Sequence, residues 1–314
     1  MIRMRELEKT FSVRVKSGRF RREKRTVAAV DGVSLTIEPG EMVGYIGPNG
    51  AGKSTTLKML TGVLMPTAGE VSVFGLTPVP QRTKLALQIG VVFGQRSQLW
   101  WDLPLHESFQ LLRHIYRVPP SAHAARLRRC RELLDLDDFL DTPVRQLSLG
   151  QRMRGELTAA LLHGPRVLFL DEPTIGLDVV SKQAVRSFLA ELGCTGDVTL
   201  VLTTHDLADI ERLCLVVIDH GRVVHDGTID ALHARYGSRR SLVVDLDAPL
   251  PEGFALPGAS LTAVEAEGHR VTFALDSASA GAAVAGLVAA ASVRDLSVVE
   301  PDIEDVVARL YTAG

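Results

Sequence analysis

A glycine-rich stretch follows a short apolar run near the start of the chain. It reads GPNGAGKS at 47–54, matches G-x-x-x-x-G-K-[ST] at every fixed position, and follows the run MVGYI. Glycines let a backbone curl closely around phosphates with its N–H groups pointing inward, and the positive end of a following helix adds to the attraction. The pattern predicts a phosphate-binding loop between a buried strand and a helix. The predicted binding residues are Gly47, Pro48, Asn49, Gly50, Ala51, Gly52, Lys53, Ser54 and Thr55.

Two acidic residues follow a second apolar run. The run VLFL at 167–170 ends in Asp171 and Glu172. A strand can present Asp171 beside the phosphate loop, where it and the hydroxyl of Ser54 would bind Mg²⁺. Glu172 would then act as general base on the attacking water, and Lys53 would neutralise the β and γ phosphates. Acids at a strand end are usually plain surface charge, so this prediction depends on the loop upstream.

Further motifs lie between and after these two elements. LSLGQRMR at 147–154 resembles the LSGGQxxR signature of ATP-binding cassette (ABC) ATPases. Gln95 ends VVFGQ at the position of the family's Q-loop, Asp178 ends IGLD at its D-loop, and His205 in LVLTTHD has its switch position. Phe11 lies where these cassettes usually carry an aromatic residue that stacks on adenine. Six motifs in the family's order make coincidence negligible.

The resemblance implies a fold and a set of roles. The implied fold is α/β, a P-loop NTPase cassette with a mixed β core over 1–236 and a helical signature subdomain at about 96–165. ATP and Mg²⁺ are the implied cofactors. Gln95 and His205 would join Glu172 as catalytic residues, and Gln95 would also sense Mg²⁺. The nucleotide held by a partner cassette would be contacted by Ser148, Gly150, Gln151 and Asp178.

The resemblance also implies an assembly. Two cassettes, as a homodimer or with a close paralogue, would bind ATP between them, and hydrolysis would open the pair. One cassette without a membrane segment implies separate integral-membrane permease subunits, and so a peripheral position at the cytoplasmic face of a bacterial membrane. The chain resembles exporters of drugs, antibiotics or lipids. A soluble ABC ATPase acting on ribosomes or DNA is the alternative, although such proteins typically carry fused cassettes or insertions. A small-molecule kinase would lack the signature.

The composition predicts an ordinary globular protein. The 314 residues are 46% hydrophobic and 23% charged, with a formal net charge of −2. A disordered chain would have fewer apolar residues and a larger net charge. The longest apolar stretch, at 281–291, is about half of the ~20 residues that cross a bilayer, and the start has no signal-peptide core. We therefore expect neither a membrane span nor secretion, and no nucleic-acid partner.

Patterning along the chain predicts two domains. Apolar runs at 89–93, 167–170, 198–202 and 215–218 are typical of buried parallel strands, and helical periodicity marks 107–116 and 124–136. From about 237 onward, four strand-like stretches alternate around an alanine-rich helix near 279–291. This predicts a small C-terminal α+β accessory domain over 237–314.

Leu149 replaces the first glycine of the signature pair. A positive φ there would strain a leucine by about 1–2 kcal/mol, and a negative φ costs little. We expect the negative φ, because Ser148 and Gly150 remain as phosphate donors.

Three other features leave alternatives open or predict burial. The basic segment 14–25 is either a solvated loop or a contact for acidic lipid or a partner. Trp100 and Trp101 either pack the helical block or line a groove for the membrane subunit. Three widely spaced cysteines are expected to be buried apolar residues: Cys130, Cys194 and Cys214.

Overall fold

The computed structural model describes residues 1–16, 22–94, 96–204, 206, 209–210, 213–229, 231–232, 240–251, 254–275 and 280–299. The chain forms two compact units, Met1–Thr228 and Ile229–Gly314. The predicted domain boundary at 236/237 falls outside the described residues and stays a prediction. Gln95 and His205 also lie outside them.

The first unit contains a mixed sheet that carries the phosphate loop. Its strand order is β5-β6-β7-β3-β8-β9, and all neighbours are parallel except β8 and β9. This confirms the predicted buried parallel strands, and it puts the carboxyl ends of β3 and β6 at the same edge of the sheet. The strands are β3 (Met42–Ile46), β5 (Ile89–Phe93), β6 (Val167–Asp171), β7 (Thr199–Thr204), β8 (Cys214–Asp219) and β9 (Arg222–Gly227).

A second, antiparallel sheet has the order β2-β1-β4 and includes much of the basic segment. Its strands are β1 (Ile2–Lys16), β2 (Arg22–Ile37) and β4 (Ala68–Val73). Pairing with β4 ends at Glu8, whereas β1 and β2 stay paired to Lys16 and Arg22. The loop interpretation is therefore wrong for 14–16 and 22–25, where alternation that begins at Val13 and resumes at Thr26 continues both strands into the basic residues.

Helices cover the mixed sheet and fill the stretch between β5 and β6. The predicted helices at 107–116 and 124–136 are confirmed with shifted ends, since Pro104 caps the first and Asp135, at φ 47°, ends the second. No helix in the described part of the chain has the length and apolar character to cross a bilayer. The helices of this unit are α1 (Lys53–Leu60), α2 (Arg82–Ala86), α3 (Leu105–Ile115), α4 (Pro120–Leu134), α5 (Leu149–Leu161) and α6 (Val179–Thr195).

The described part of the second unit includes an antiparallel sheet and an alanine-rich helix. The strand order is β11-β12-β10-β13, and its apolar core includes Phe273 of the sheet and Leu287 of the helix. The predicted alternation of strands around an alanine-rich helix is confirmed. The elements are β10 (Arg240–Leu246), β11 (Ala259–Glu265), β12 (Arg270–Leu275), α7 (Ala280–Ala290) and β13 (Val293–Val299).

The three cysteines differ in exposure. Cys130 is buried and Cys214 is half-buried, but Cys194 is exposed near the end of α6. The prediction that all three are buried is wrong for Cys194, because spacing alone does not show which side of a helix faces solvent.

Candidate active site

The phosphate loop joins β3 to α1 through two positions that require glycine. Gly52 caps α1 at φ 104°, and a Cβ there would lie 2.2 Å from the carbonyl oxygen of Ala29. A Cβ on Gly47 would lie 2.4 Å from the carbonyl oxygen of Ile218. A Cβ on Gly50, by contrast, would meet no atom within 4 Å. The loop is thus packed tightly at both ends and open in its middle.

Lys53 folds back over this loop from the first residue of α1. Lys53 is only 6% exposed, and its Nζ donates hydrogen bonds to the carbonyl oxygens of Gly47 at 2.6 Å and Pro48 at 3.1 Å. Burial lowers the pKa of Lys53, and the nearby carboxylates of Glu172 and Asp171 oppose that effect. A desolvated ammonium group held beside an open loop is well suited to bind an anion.

Asp171 lies at the end of β6, beside the first turn of α1. Its Oδ1 accepts hydrogen bonds from Ser54 Oγ at 2.8 Å and from Thr203 Oγ1 at 2.7 Å. The carboxyl ends of β3, β7 and β6 lie side by side in the sheet. Ser54 is in the helix that follows β3, so these three side chains come together. Hydroxyl and carboxylate oxygens are the donors that Mg²⁺ prefers, so this group fits the predicted ion. Thr203 was not among the predicted site residues, although it stands two positions before the predicted switch histidine.

Glu172 follows in an unusual backbone conformation. Its φ is 52°, in the left-handed region, which costs a residue with a side chain about 1–2 kcal/mol. Its N–H donates to the carbonyl oxygen of Thr203 at 2.9 Å and to the hydroxyl of Thr203 at 3.2 Å. The strand β7 therefore holds Glu172 in this turn, directly beside the group of Asp171.

The signature residues begin α5. Ser148 is the N-cap: its Oγ accepts a hydrogen bond from the N–H of Gln151 at 3.2 Å, and Gln151 Oε1 accepts one from the N–H of Ser148 at 2.9 Å. Leu149 is the first helical residue and its φ is not positive. The predicted negative φ at Leu149 is confirmed. Ser148 stays exposed at the helix N-terminus, where anionic oxygens bind well.

Asp178 begins α6 in the same region. It is the N-cap, and its carboxylate accepts bonds from the N–H and the Oγ of Ser181 at 2.9 and 2.7 Å. These bonds lower the pKa of Asp178. A Cβ on Gly150 would lie 2.0 Å from Ser181 Oγ and 3.7 Å from the Asp178 carboxylate. Gly150 therefore lets the N-termini of α5 and α6 approach each other, which brings together the two predicted partner-facing segments.

We expect Gly150→Ala to separate the two helix N-termini. The added methyl group has no room beside Ser181, and overpacking of this kind costs about 1–3 kcal/mol of unfolding free energy. Urea unfolding checks this, and Ser181→Gly in the same chain should restore most of the loss. Gly281→Ala is the matched control, since its methyl group meets no atom within 4 Å. Equal stability of Gly150→Ala and wild type would contradict the packing argument.

Of the remaining predicted site residues, the structure describes Phe11, whereas Gln95 and His205 lie outside the described residues. Phe11 pairs with Val27 in the β1–β2 ribbon, is part-exposed, and has Lys9 Nζ 5.3 Å from its ring centre. Gly94, which precedes position 95, donates its N–H to the carbonyl oxygen of Asp171 at 3.0 Å. The chain leading to Gln95 therefore adjoins the end of β6, while Gln95 itself lies outside the described residues. His205 does too, although Thr204 and Asp206 on either side of it are described.

Comparisons with known proteins agree with this fold. The family model for ABC transporters matches residues 30–175. The chain is 34% identical to the ABC transporter ATP-binding protein NatA of Bacillus subtilis, over 72% of this chain and 91% of that one. It is 35% identical to the Nod factor export ATP-binding protein I of Ralstonia nicotianae, over 74% of this chain and 75% of that one.

Solved structures give the same result. A dimeric ATP-binding cassette in a post-hydrolysis state, bound to ADP and Pi, is 28% identical with a TM-score of 0.62, covering 73% of this chain and 99% of that one. The cassette cbiO1 of Clostridium perfringens is 26% identical with a TM-score of 0.61, covering 74% and 90%. Fold and site together define a cassette ATPase. The chain belongs to the ABC transporter family, as an ATP-binding subunit.

Proposed function

We propose that this chain powers export through separate membrane subunits, by ATP-driven pairing of two cassettes. The observation that carries the pairing is the apolar surface beside Asp178. Val179 and Val180 are 83% and 79% exposed, and Ile175 is also exposed in the D-loop segment. Exposed apolar patches of this kind are typical of protein interfaces. A second cassette would cover these side chains and bring its own phosphate loop to Ser148 and Asp178.

The proposed chemistry uses the residues around the loop. Loop N–H groups and Lys53 bind the triphosphate, and Phe11 stacks on adenine. Ser54 and Asp171 would hold Mg²⁺ with Gln95, and the ion would neutralise charge on the β and γ oxygens. Glu172 takes a proton from the attacking water. The oxygen of that water bonds to the γ phosphorus, and the bond between the γ phosphorus and the oxygen that leaves with ADP breaks. We assign the contact with the γ-phosphate to His205.

The partner cassette would complete each site. Ser148, Gly150, Gln151 and Asp178 would contact the nucleotide that the other chain holds, because an exposed helix N-terminus favours anionic oxygens. Loss of the γ-phosphate would remove what both chains bind, so hydrolysis would separate them. Either a second copy of this chain or a close paralogue would serve as partner.

A groove in the helical region supports docking of a permease helix. The cavity has a volume of about 300 Å³, Trp101 is 52% exposed at its edge, and the Arg152 guanidinium lies 5.7 Å from the Trp101 ring centre. This favours the groove interpretation for Trp101 over simple packing. The lining residues include Gly94, Arg96, Ser97, Trp101, Leu149 and Glu156.

The names of several similar proteins favour export over import. Several proteins named as Nod factor export ATP-binding protein I are 35–41% identical to this chain. We propose a peripheral position at the cytoplasmic face of a bacterial membrane, with a drug, antibiotic or lipid-like substrate.

Co-expression with the product of the neighbouring reading frame, which we expect to be an integral-membrane protein, tests the proposal. We expect the two to co-purify in detergent and the permease to stimulate ATP hydrolysis. Trp101→Ala should weaken co-purification without changing ATP binding, because the groove is separate from the phosphate loop. Exposed Leu87, outside the groove, provides the control variant Leu87→Ala. Co-sedimentation of the chain with ribosomes, and no association with the permease, would contradict the proposal.

A further inference from the structure

Asp209 is a buried carboxylate held by donors from three segments of the chain. Its side chain is 0% exposed. Its Oδ2 accepts from Thr174 Oγ1 at 2.5 Å and Thr204 Oγ1 at 2.8 Å, and its Oδ1 accepts from Arg186 Nε at 2.7 Å. Burying a carboxylate is costly unless it is paired and hydrogen-bonded, and breaking such a group by removing one partner is strongly destabilising. The bonds therefore fix the relative positions of the three segments.

The hydrogen bonds and ion pairs around Asp209 also include Thr204 and Asp206, the residues on either side of position 205. Thr204 Oγ1 also accepts from the N–H of Asp206 at 3.0 Å, and Arg186 Nη2 lies 2.9 Å from Asp206 Oδ1. Lys182 Nζ donates to Asp206 Oδ2 at 2.8 Å. The residues immediately before and after position 205 are thus both tied to α6.

Each of the three segments that supply a donor to Asp209 also contains, or lies next to, a residue with a proposed function. Thr174 stands two residues after Glu172, whose left-handed φ of 52° needs its surroundings to hold it. Thr204 precedes position 205. Arg186 lies on α6, which begins after Asp178.

We propose that Asp209 is a positioning residue for ATP hydrolysis. It holds the turn of Glu172, Thr204 at the end of β7 and helix α6 in one arrangement, so that the base and the partner-facing N-terminus of α6 stay aligned. This inference rests on the proposed roles of Glu172 and His205. It adds a buried residue that acts through its three donors.

Asp209→Asn tests the proposal in the full-length protein. Asparagine has the same shape, but its uncharged amide has one acceptor oxygen in place of two, so at least one of the hydrogen bonds from Thr174, Thr204 and Arg186 is lost or reversed, and the Arg186 guanidinium loses the charge of Asp209. We expect kcat to fall about 10- to 100-fold, the range seen when a supporting residue of a site is lost. The KM for ATP should stay within about twofold, because the phosphate loop does not depend on Asp209. Asp197→Asn, which changes an exposed aspartate, is the matched control.

A second pair of variants covers the case in which Asp209→Asn does not fold. Thr174→Val removes one donor to Asp209 and keeps the volume, whereas Thr174→Ser keeps the hydroxyl. We expect Thr174→Val to lower kcat and Thr174→Ser to stay close to wild type. Melting temperature and the folded fraction are measured for every variant.

Three results would overturn the inference. They are a wild-type kcat for folded Asp209→Asn, equal kcat values for the two Thr174 variants, and a loss of activity that matches the loss of folded protein. Glu172→Gln is assayed alongside, because continued hydrolysis by that variant would count against the proposed function itself. Loss of turnover in Glu172→Gln together with an unaffected Asp209→Asn would count against Asp209 alone.

Discussion

Lys53→Ala loses most of the ATP affinity of this chain. The ammonium group is buried at the mouth of the loop and is held there by two carbonyl oxygens, so in the complex it can exchange them for phosphate oxygens. Charge-assisted hydrogen bonds contribute about 1.5–3 kcal/mol each, so we expect a loss of affinity of about 100-fold or more. Titration calorimetry with ATP measures it directly.

The control for this variant lies on the same helix. Lys58 is exposed in the last turn of α1, and Lys58→Ala removes the same charge without touching the loop. We expect that variant to bind ATP as wild type does. An unchanged affinity for Lys53→Ala would contradict the assignment of residues 47–54 as the phosphate site.

Glu172→Gln keeps ATP binding and loses turnover. Glutamine has nearly the size of glutamate and keeps the backbone N–H that bonds to Thr203, so the turn at φ 52° is retained. The amide cannot take a proton from water, and loss of a general base lowers rates by about 10²- to 10⁴-fold. Phosphate release under saturating Mg²⁺ and ATP measures this loss.

The matched control is Glu191→Gln on α6, where the glutamate is exposed. It should hydrolyse ATP at the wild-type rate. Hydrolysis at the wild-type rate by Glu172→Gln would show that another group activates the water.

The phosphate loop and the strands around it could be predicted from sequence because their signals are local. Glycine spacing, an apolar run and the following Lys53 lie within 13 residues. The contact between Ser54 and Asp171 spans a far longer separation, yet parallel strands place their carboxyl ends at one edge, so the pairing followed from the predicted sheet.

The contacts around Asp209 could not be predicted in this way. Its donors are at positions 174, 186 and 204, and no periodic pattern joins them. The ribbon of β1 and β2 is different, because alternation in VRVK and TVAAV signals a strand, but the basic residues suggested a loop. Exposure of Cys194 likewise depends on how α6 packs, which its spacing from other cysteines does not encode.

The apparent mass of Glu172→Gln in solution, measured by light scattering with ATP and then with ADP, tests the central claim most directly. The claim is that two chains share each triphosphate through Ser148 and Asp178 of one and the phosphate loop of the other. The account predicts a dimer with ATP and a monomer with ADP. A monomer at saturating Mg²⁺ and ATP, both for this chain alone and after mixing with a paralogous cassette from the same cell, would contradict it.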